Sequence, residues 1–284
     1  MATSISKTLT LRSGFKMPLF GLGTWLSKGD LCYNAVKFVL TKCNVRLLDT
    51  AAMYENEDQV GKAIIDSGVS RDEIFIVTKL KSSENGYESA KIALKNSLQR
   101  LQVDYVDLYL IHTPNGGNVI STWKAMLELR DEGLAKSVGV SNFGVEQLKE
   151  LAATGMEVPE INQVELHLFL PQNDLVKYCK EQGIVVMGYC PFARQKCAGN
   201  QVIIDIGKKY NKSESQVMLR WSLQKEIVTI PKSTTESHIL DNCDLFDSWF
   251  LTDDEMKRLD ELENGFKAST SVNHQDRPWS EVKQ

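Results

Sequence analysis

Long apolar runs are missing from this sequence, and none approaches the ~18 residues that a membrane-spanning helix requires. The first seven residues also lack the apolar core of a secretory signal peptide. The six cysteines are scattered: no two are spaced C-x-x-C, and none clusters with histidines at the spacing of zinc ligands. Scattered cysteines are typical of a reducing compartment. The sequence therefore predicts a cytoplasmic protein without membrane contact, disulfides or a bound metal.

An excess of positive charge is absent as well. Lys and Arg total 33 against 37 Asp and Glu, which gives a formal net charge of −4. Proteins that bind nucleic acid by neutralising phosphates carry a clustered basic face, so this balance argues against a nucleic-acid partner. Apolar residues make up 42% of the 284 residues, which excludes an intrinsically disordered chain and is enough for a large core.

Short apolar segments alternate with helical patterns along the chain. The predicted strands lie at 19–23, 46–49, 74–79, 106–112, 135–141, 161–166, 185–189 and 228–231. Helical patterns occupy 34–41, 59–65, 90–101, 120–129, 145–152 and 174–182, and capping boxes at 213–216 and 252–255 begin two more helices. This alternation favours parallel strands joined by crossover helices, and eight such units fit a closed barrel.

The prediction is an α/β fold, namely a (β/α)8 TIM barrel preceded by an N-terminal β-hairpin. Two short apolar segments that flank Ser13-Gly14 indicate the hairpin. We expect residues 1–284 to form a single barrel domain, with a C-terminal loop at roughly 265–284 covering the substrate site. An open doubly wound sheet is the alternative, but Gly21-Leu-Gly23-Thr-Trp-Leu26 lacks the third glycine of a dinucleotide fingerprint.

Polar residues end three neighbouring predicted strands. They are Asp49, Lys79 and His112, and Tyr54 lies five residues beyond the aspartate. Catalytic groups of such barrels lie at the C-terminal ends of the strands, so we expect all four side chains on one face. A nearby ammonium at Lys79 would make the Tyr54 phenol a better proton donor, and His112 would orient a carbonyl oxygen. Taken singly, each residue is more often a loop anchor or packing residue, so the prediction depends on the set.

Seven short segments resemble the aldo-keto reductase family, in the family's order and across most of the chain. They are Gly21-Leu-Gly-Thr-Trp25, Leu48-Asp-Thr-Ala51 with Tyr54, Thr78-Lys-Leu80, Leu110-Ile-His112, Gly139-Val-Ser-Asn-Phe143, Asn162-Gln-Val-Glu165 and Ile230-Pro-Lys-Ser233. The resemblance implies NADPH-dependent reduction of aldehydes or ketones, with hydride coming from the nicotinamide. It also implies a catalytic tetrad of Asp49, Tyr54, Lys79 and His112, in which Tyr54 is the general acid.

The resemblance further implies a cofactor site at the strand ends. The predicted contacts are Gly23, Thr24, Trp25, Asp49, Ser141, Asn142, Gln163, Tyr189, Pro191, Phe192, Lys232, Ser233, Thr234, His238, Asp241 and Asn242. The side chains of Ser141, Asn142 and Gln163 suit hydrogen bonds to the nicotinamide carboxamide, and Tyr189 suits stacking on its ring.

Cofactor choice depends on the segment after the last predicted strand. A cation at Lys232 favours an additional phosphate, and so favours NADPH. Six residues later the family commonly has an arginine, where this chain has His238. An imidazole cannot form the bidentate contact of a guanidinium. We therefore expect a weaker preference for NADPH than in relatives with the arginine, with NADH as an alternative cofactor.

The predicted substrate pocket also departs from the family pattern. Its residues are Trp25, Tyr54, Lys81, His112, Thr113 and Trp279. Lys81 and Thr113 stand where the family commonly has a tryptophan and an aromatic residue, which predicts a more open and more polar pocket. The expected partner is a small aldehyde or ketone, and the expected assembly is a monomer or weak dimer.

Three other functions compete with this interpretation. The first is a catalytically weak family member that binds the cofactor in a structural or regulatory role. The second is a barrel lyase that forms a Schiff base at Lys79. A serine hydrolase is the weakest, because Gly139-Val-Ser-Asn-Phe-Gly144 lacks the spacing of a nucleophile elbow.

Overall fold

The computed structural model describes residues 4–246, 249–270 and 275. Within them, eight parallel strands form a barrel in sequence order. They are β3 (Gly21–Gly23), β4 (Leu47–Asp49), β5 (Phe75–Leu80), β6 (Val106–Ile111), β7 (Ala135–Ser141), β8 (Ile161–Glu165), β9 (Val185–Tyr189) and β10 (Val228–Thr229). Isolated parallel bridges from Phe20 to Thr229 and from Gly23 to Lys232 join the two ends of the sheet. The predicted barrel is therefore confirmed, and the open doubly wound sheet is excluded.

Helices occupy the connections between the strands, and two more follow the last strand. They are α1 (Gly29–Lys42), α2 (Glu57–Ser67), α3 (Tyr87–Leu101), α4 (Val119–Asp131), α5 (Val145–Ala153), α6 (Asn173–Glu181), α7 (Gln201–Tyr210), α8 (Glu214–Gln224), α9 (Glu236–Cys243) and α10 (Asp253–Asp260). Short 3-10 turns lie at Ala52–Tyr54, Arg71–Glu73, Ser82–Glu84 and Ala193–Gln195. The helices α8 and α10 begin at the two predicted capping boxes.

Two helices, α7 and α9, lie outside the sequence prediction. The Asn200 side chain accepts a hydrogen bond from the Val202 amide (3.0 Å), so α7 does begin at a capping residue. Thr235 precedes α9 without a side-chain capping bond among the described residues, so this start carries no such sequence signature. Neither helix is long, and both depend on packing against the barrel.

The predicted hairpin is confirmed and lies at the amino-terminal end of the barrel. Its strands are β1 (Thr8–Thr10) and β2 (Lys16–Pro18), which pair antiparallel. In the turn between them, Ser13 Oγ donates a hydrogen bond to the buried Glu160 carboxylate (2.8 Å), just before β8 begins. The hairpin therefore occupies the end of the barrel opposite to the carboxyl ends of the strands.

The barrel strands bury the polar groups of the site together with the apolar residues around them. Every residue of β4, β5 and β6 is buried, as expected for parallel strands covered on both faces. Asp49 and Lys79 are buried at the carboxyl ends of two of these strands. Among the described residues, no helix is long and apolar enough to cross a membrane.

Candidate active site

A buried ion pair joins the ends of β4 and β5. Lys79 Nζ donates to Asp49 Oδ1 (2.7 Å) and to the carbonyl oxygen of Thr50 (2.9 Å), and Gln163 Nε2 donates to Asp49 Oδ2 (2.7 Å). Burial raises the pKa of Asp49 and lowers the pKa of Lys79, because loss of water penalises both charged forms. The short contact between opposite charges works against both shifts. The two acceptors hold the lysine ammonium in one place.

Tyr54 lies beside this pair at the end of a short 3-10 turn. Its hydroxyl oxygen is 3.2 Å from Lys79 Nζ, which donates to it, and the ammonium lies 4.8 Å from the ring centroid. Burial, and then the charge of Asp49, raise the pKa of Tyr54 well above its usual value. Burial therefore dominates the pKa of this phenol. The phenol keeps its proton across the physiological range.

His112 faces Tyr54 edge-on from the end of β6. The two ring centroids are 5.6 Å apart and the ring planes meet at 74°. Burial, together with the neighbouring Lys79, lowers the pKa of His112 to about 3. Its Nδ1 is buried without a hydrogen-bond partner among the described residues. The imidazole is therefore neutral near pH 7, and its Nδ1 can still form a hydrogen bond.

The ends of β7, β8 and β9 carry a connected set of polar side chains. Asn142 Nδ2 donates to the carbonyl oxygen of His112 (2.9 Å), and Tyr189 Oη donates to Asn142 Oδ1 (2.7 Å). Ser141 Oγ donates to the carbonyl oxygen of Gln163 (2.8 Å). Asn142 adopts a left-handed backbone conformation (φ +62°), which asparagine tolerates better than most residues. These bonds fix the side-chain orientations of the set relative to His112.

Asn56 is a structural residue of the site that the sequence analysis missed. Its buried Nδ2 donates to the carbonyl oxygens of Thr24 (2.9 Å) and Ser27 (2.8 Å), and its Oδ1 accepts from Thr50 Oγ1 (2.7 Å). It therefore ties the loop after β3 to the loop after β4. An asparagine two residues beyond Tyr54 resembles an ordinary turn residue in sequence, so only its burial identifies this role.

A cavity of about 380 Å³ lies at the carboxyl ends of the strands, and most of the groups described above, though not Lys79 or Asn56, line it. Predicted site residues that line it are Gly23, Trp25, Asp49, Tyr54, His112, Ser141, Asn142, Gln163, Tyr189, Pro191, Phe192 and Lys232. Residues outside the prediction that also line it are Leu26, Met53, Cys190, Arg194, Gln195, Ile230 and Ser269. Apart from Ile230, which begins the Ile230-Pro-Lys-Ser233 segment, no sequence motif marks this second group, which comes from loops whose path the sequence does not reveal.

Several predicted cofactor residues lie away from the cavity lining. Ser233 and Thr234 follow Lys232 and are partly exposed, and His238 is exposed on α9. Farther along α9, Asp241 accepts a hydrogen bond from Ser213 Oγ (2.7 Å), and Asn242 is buried. Thr24 lies behind the lining, where its amide and hydroxyl both donate to the carbonyl oxygen of Asp49.

Of the predicted substrate residues, three line the cavity and two others do not. Trp25, Tyr54 and His112 line the cavity, with the Arg194 guanidinium 5.1 Å from the Trp25 ring centroid. Lys81 and Thr113 do not belong to the lining formed by the described residues. Lys81 instead begins the 3-10 turn at Ser82–Glu84. Trp279 lies outside the described residues.

The chain is similar to known proteins over most of its length. The model of the Aldo/keto reductase family matches residues 20–264. Glyoxal reductase of Bacillus subtilis is 43% identical over 263 residues, covering 92% of this chain and 95% of the relative. Aldehyde reductase YPR1 of Saccharomyces cerevisiae is 40% identical, covering 90% and 91%. The crystal structure of a Bombyx mori aldo-keto reductase in complex with NADP superposes with a TM-score of 0.89 at 32% identity, covering 96% and 98%.

The lowered pKa of His112 predicts a specific loss of stability in acid. Below pH 6.5 an unfolded chain protonates this histidine, whereas the folded chain does not until about pH 3, so folding is opposed as the pH falls through that window. Between pH 6.5 and 4.5 the free energy of unfolding of the wild type should fall by roughly 2 kcal/mol more than that of His112→Gln. Urea titrations at several pH values would measure this. Parallel stability curves for the two proteins would contradict the buried neutral imidazole.

Proposed function

This chain belongs to the aldo/keto reductase family and is an NAD(P)H-dependent oxidoreductase, and from that premise we propose that it reduces aldehydes or ketones to alcohols with NADPH, using Tyr54 as general acid. The observation that carries the proposal is the position of the Tyr54 hydroxyl. It lies 3.2 Å from the buried Lys79 ammonium and lines the same cavity as His112.

The cavity lining fits a nicotinamide nucleotide. Tyr189 offers an aromatic face, Asn142 and Gln163 offer carboxamide groups, and Lys232 offers a cation that suits a phosphate. Solved structures of relatives contain NADP or NADPH, which supports the same cofactor here. When bound, the reduced nicotinamide supplies the hydride that reaches the carbonyl carbon.

The described side chains account for the proton and for the charge on oxygen. The Tyr54 phenol stays protonated until an alkoxide develops on the substrate, because its pKa lies well above the usual value. Its proton then passes from Oη to that oxygen, and the Lys79 ammonium stabilises the phenolate left behind. Asp49 keeps Lys79 in place, and a neutral His112 can donate a ring N–H to the carbonyl oxygen without competing for the proton.

The proposed substrate is a small aldehyde or α-dicarbonyl compound. The named activities of the Bacillus subtilis and yeast relatives, glyoxal reductase and aldehyde reductase, support this class. Trp25, Met53 and Phe192 contribute apolar side chains to the cavity lining, against which the carbon skeleton of such a compound can pack. The polar pocket expected from Lys81 and Thr113 finds no support in this lining.

A cytoplasmic location is part of the same proposal. All six cysteines lie within the described residues, and all are free thiols. Free thiols in six positions are typical of proteins kept in a reducing compartment.

Replacing Tyr54 by Phe tests the proposed acid. Turnover of an aldehyde such as glyoxal should fall by about a thousand-fold or more, because the proton donor is removed while the ring remains. The dissociation constant for NADPH should stay within a few-fold of the wild-type value. Tyr33→Phe is the matched control, since its hydroxyl bonds to Asp66 on α2, and should leave turnover unchanged. Retention of turnover within a few-fold in Tyr54→Phe would show that another group supplies the proton.

His238→Arg tests the proposed basis of cofactor preference. A guanidinium on the exposed first turns of α9 can pair with the 2′-phosphate of NADPH, which NADH lacks, so NADPH should bind about ten-fold more tightly and NADH about as before. Ser237→Arg adds the same charge one residue away and should have a smaller effect. Dissociation constants follow from quenching of protein fluorescence. A wild-type protein that binds NADH as tightly as NADPH would overturn the proposed cofactor.

A further inference from the structure

Two cysteines meet where the end of α1 lies beside the end of α9. Cys43 directly follows the last residue of α1, and Cys243 is the last residue of α9. The two helices pack against each other, and the Cys243 thiol donates a hydrogen bond to the Cys43 sulfur. Both residues are partly exposed, and both are free thiols. Two thiols in direct contact can be oxidised to a disulfide, whose sulfur atoms are about 2.05 Å apart.

The hydrogen bond makes the two thiols chemically unequal. It stabilises a thiolate on the acceptor, so the pKa of Cys43 is lowered, whereas the pKa of Cys243 is raised by the bond that it donates and by burial. The thiolate form of cysteine is the nucleophile. Cys43 is therefore the sulfur that reacts first with an oxidant, and Cys243 is placed to attack it afterwards.

The other four cysteines do not share this reactivity. Burial raises the pKa of Cys32 and Cys179 to about 12, and that of Cys190 and Cys197 to about 11. These thiols stay protonated near pH 7, and a protonated thiol is a poor nucleophile. A lowered pKa and a thiol in contact therefore distinguish Cys43 from them.

The end of α9 also carries residues of the proposed cofactor site. Asp241 and Asn242 directly precede Cys243 and belong to the predicted cofactor contacts. Asn242 and Cys243 line a void of about 10 Å³, whose other walls include Val39 of α1 and Gly21 of β3. A void of this size holds at most one water molecule. The last turn of α9 therefore has room to move towards α1 when the two sulfur atoms are joined.

We propose that Cys43 and Cys243 are a modification site at which a peroxide converts the dithiol into a disulfide, and that this disulfide weakens cofactor binding. Formation of the bond draws the last turn of α9 towards α1 and displaces Asp241 and Asn242 from the positions that suit the cofactor. The effect on cofactor binding rests on the proposed function, whereas formation of the disulfide does not.

The reaction is balanced by the peroxide alone. The Cys43 thiolate attacks one peroxide oxygen, the O–O bond breaks, and the sulfur becomes a sulfenic acid while the second oxygen leaves as hydroxide and takes up a proton to give water. The Cys243 sulfur then attacks the sulfenic sulfur. An S–S bond forms, the S–O bond breaks, and the hydroxyl group leaves with the Cys243 proton as a second water. The two sulfurs lose two electrons, which the peroxide gains.

The test oxidises the reduced full-length protein with equimolar hydrogen peroxide and maps disulfides by mass spectrometry of peptides kept under non-reducing conditions. Cys43→Ser and Cys243→Ser each remove one partner. Cys32→Ala is the matched control, since it removes a buried thiol from the same helix. Parallel samples contain dimedone, which traps sulfenic acids. The dissociation constant for NADPH is measured by quenching of protein fluorescence before and after oxidation.

The wild type and Cys32→Ala should form a disulfide between Cys43 and Cys243 that dithiothreitol reverses. Cys243→Ser should instead accumulate a dimedone adduct on Cys43, because the second thiol is missing, and Cys43→Ser should form neither product. Free thiols at both positions in the oxidised wild type would overturn the site. A dimedone adduct on Cys243 in Cys43→Ser would overturn the assigned order of attack.

Oxidation should weaken NADPH binding by the wild type about ten-fold, because contacts from the end of α9 are displaced, and should leave binding by Cys43→Ser unchanged. Equal dissociation constants for the dithiol and disulfide forms of the wild type would overturn the effect on the cofactor. If the reduced protein did not bind NADPH at all, the proposed function would fail instead. The disulfide map needs no cofactor, so the two failures are distinguishable.

Discussion

The buried contact between the Lys79 ammonium and the Asp49 carboxylate is the interaction on which the rest of the site depends. Removing two charges from water costs several kcal/mol per ion, and their attraction repays this only when the geometry is good and the remaining donors and acceptors are satisfied. Here Thr50 and Gln163 supply those additional bonds. Such a pair contributes little to folding stability, and its value lies in placing a fixed positive charge 3.2 Å from the Tyr54 hydroxyl.

The barrel makes that placement possible because its strands follow one another in sequence order. Asp49 ends β4, Lys79 is the penultimate residue of β5 and His112 directly follows β6. These strands are neighbours in the sheet, so three short apolar strands deliver three polar groups to one edge. Burial then sets their protonation. The Tyr54 phenol keeps its proton and the His112 imidazole stays neutral. Tyr54 can therefore act as the proton donor, and His112 as a neutral hydrogen-bond donor.

Much of this arrangement is readable from sequence, since strand ends and their polar residues are local features. Apolar segments bounded by Asp49, Lys79 and His112 predict both the barrel and the grouping of these side chains, and the structure brings them together with Tyr54. Contacts between distant loops are not readable in this way. The bonds from Glu165 to Ala268 and Ser269 span more than 100 residues, and no local pattern at either position indicates them. The direction of the Tyr54 pKa shift cannot be predicted from the sequence either, because it depends on burial more than on neighbouring charges.

Removing the charge of Lys79 is the most direct test of its proposed role beside the Tyr54 hydroxyl. In Lys79→Met the buried side chain keeps a similar length and loses its ammonium. We expect kcat for aldehyde reduction to fall by about a thousand-fold or more, because the charge stabilises the phenolate that forms after proton transfer. The dissociation constant for NADPH should change less than about three-fold. Turnover within about ten-fold of the wild type in a folded variant with normal cofactor binding would contradict this role.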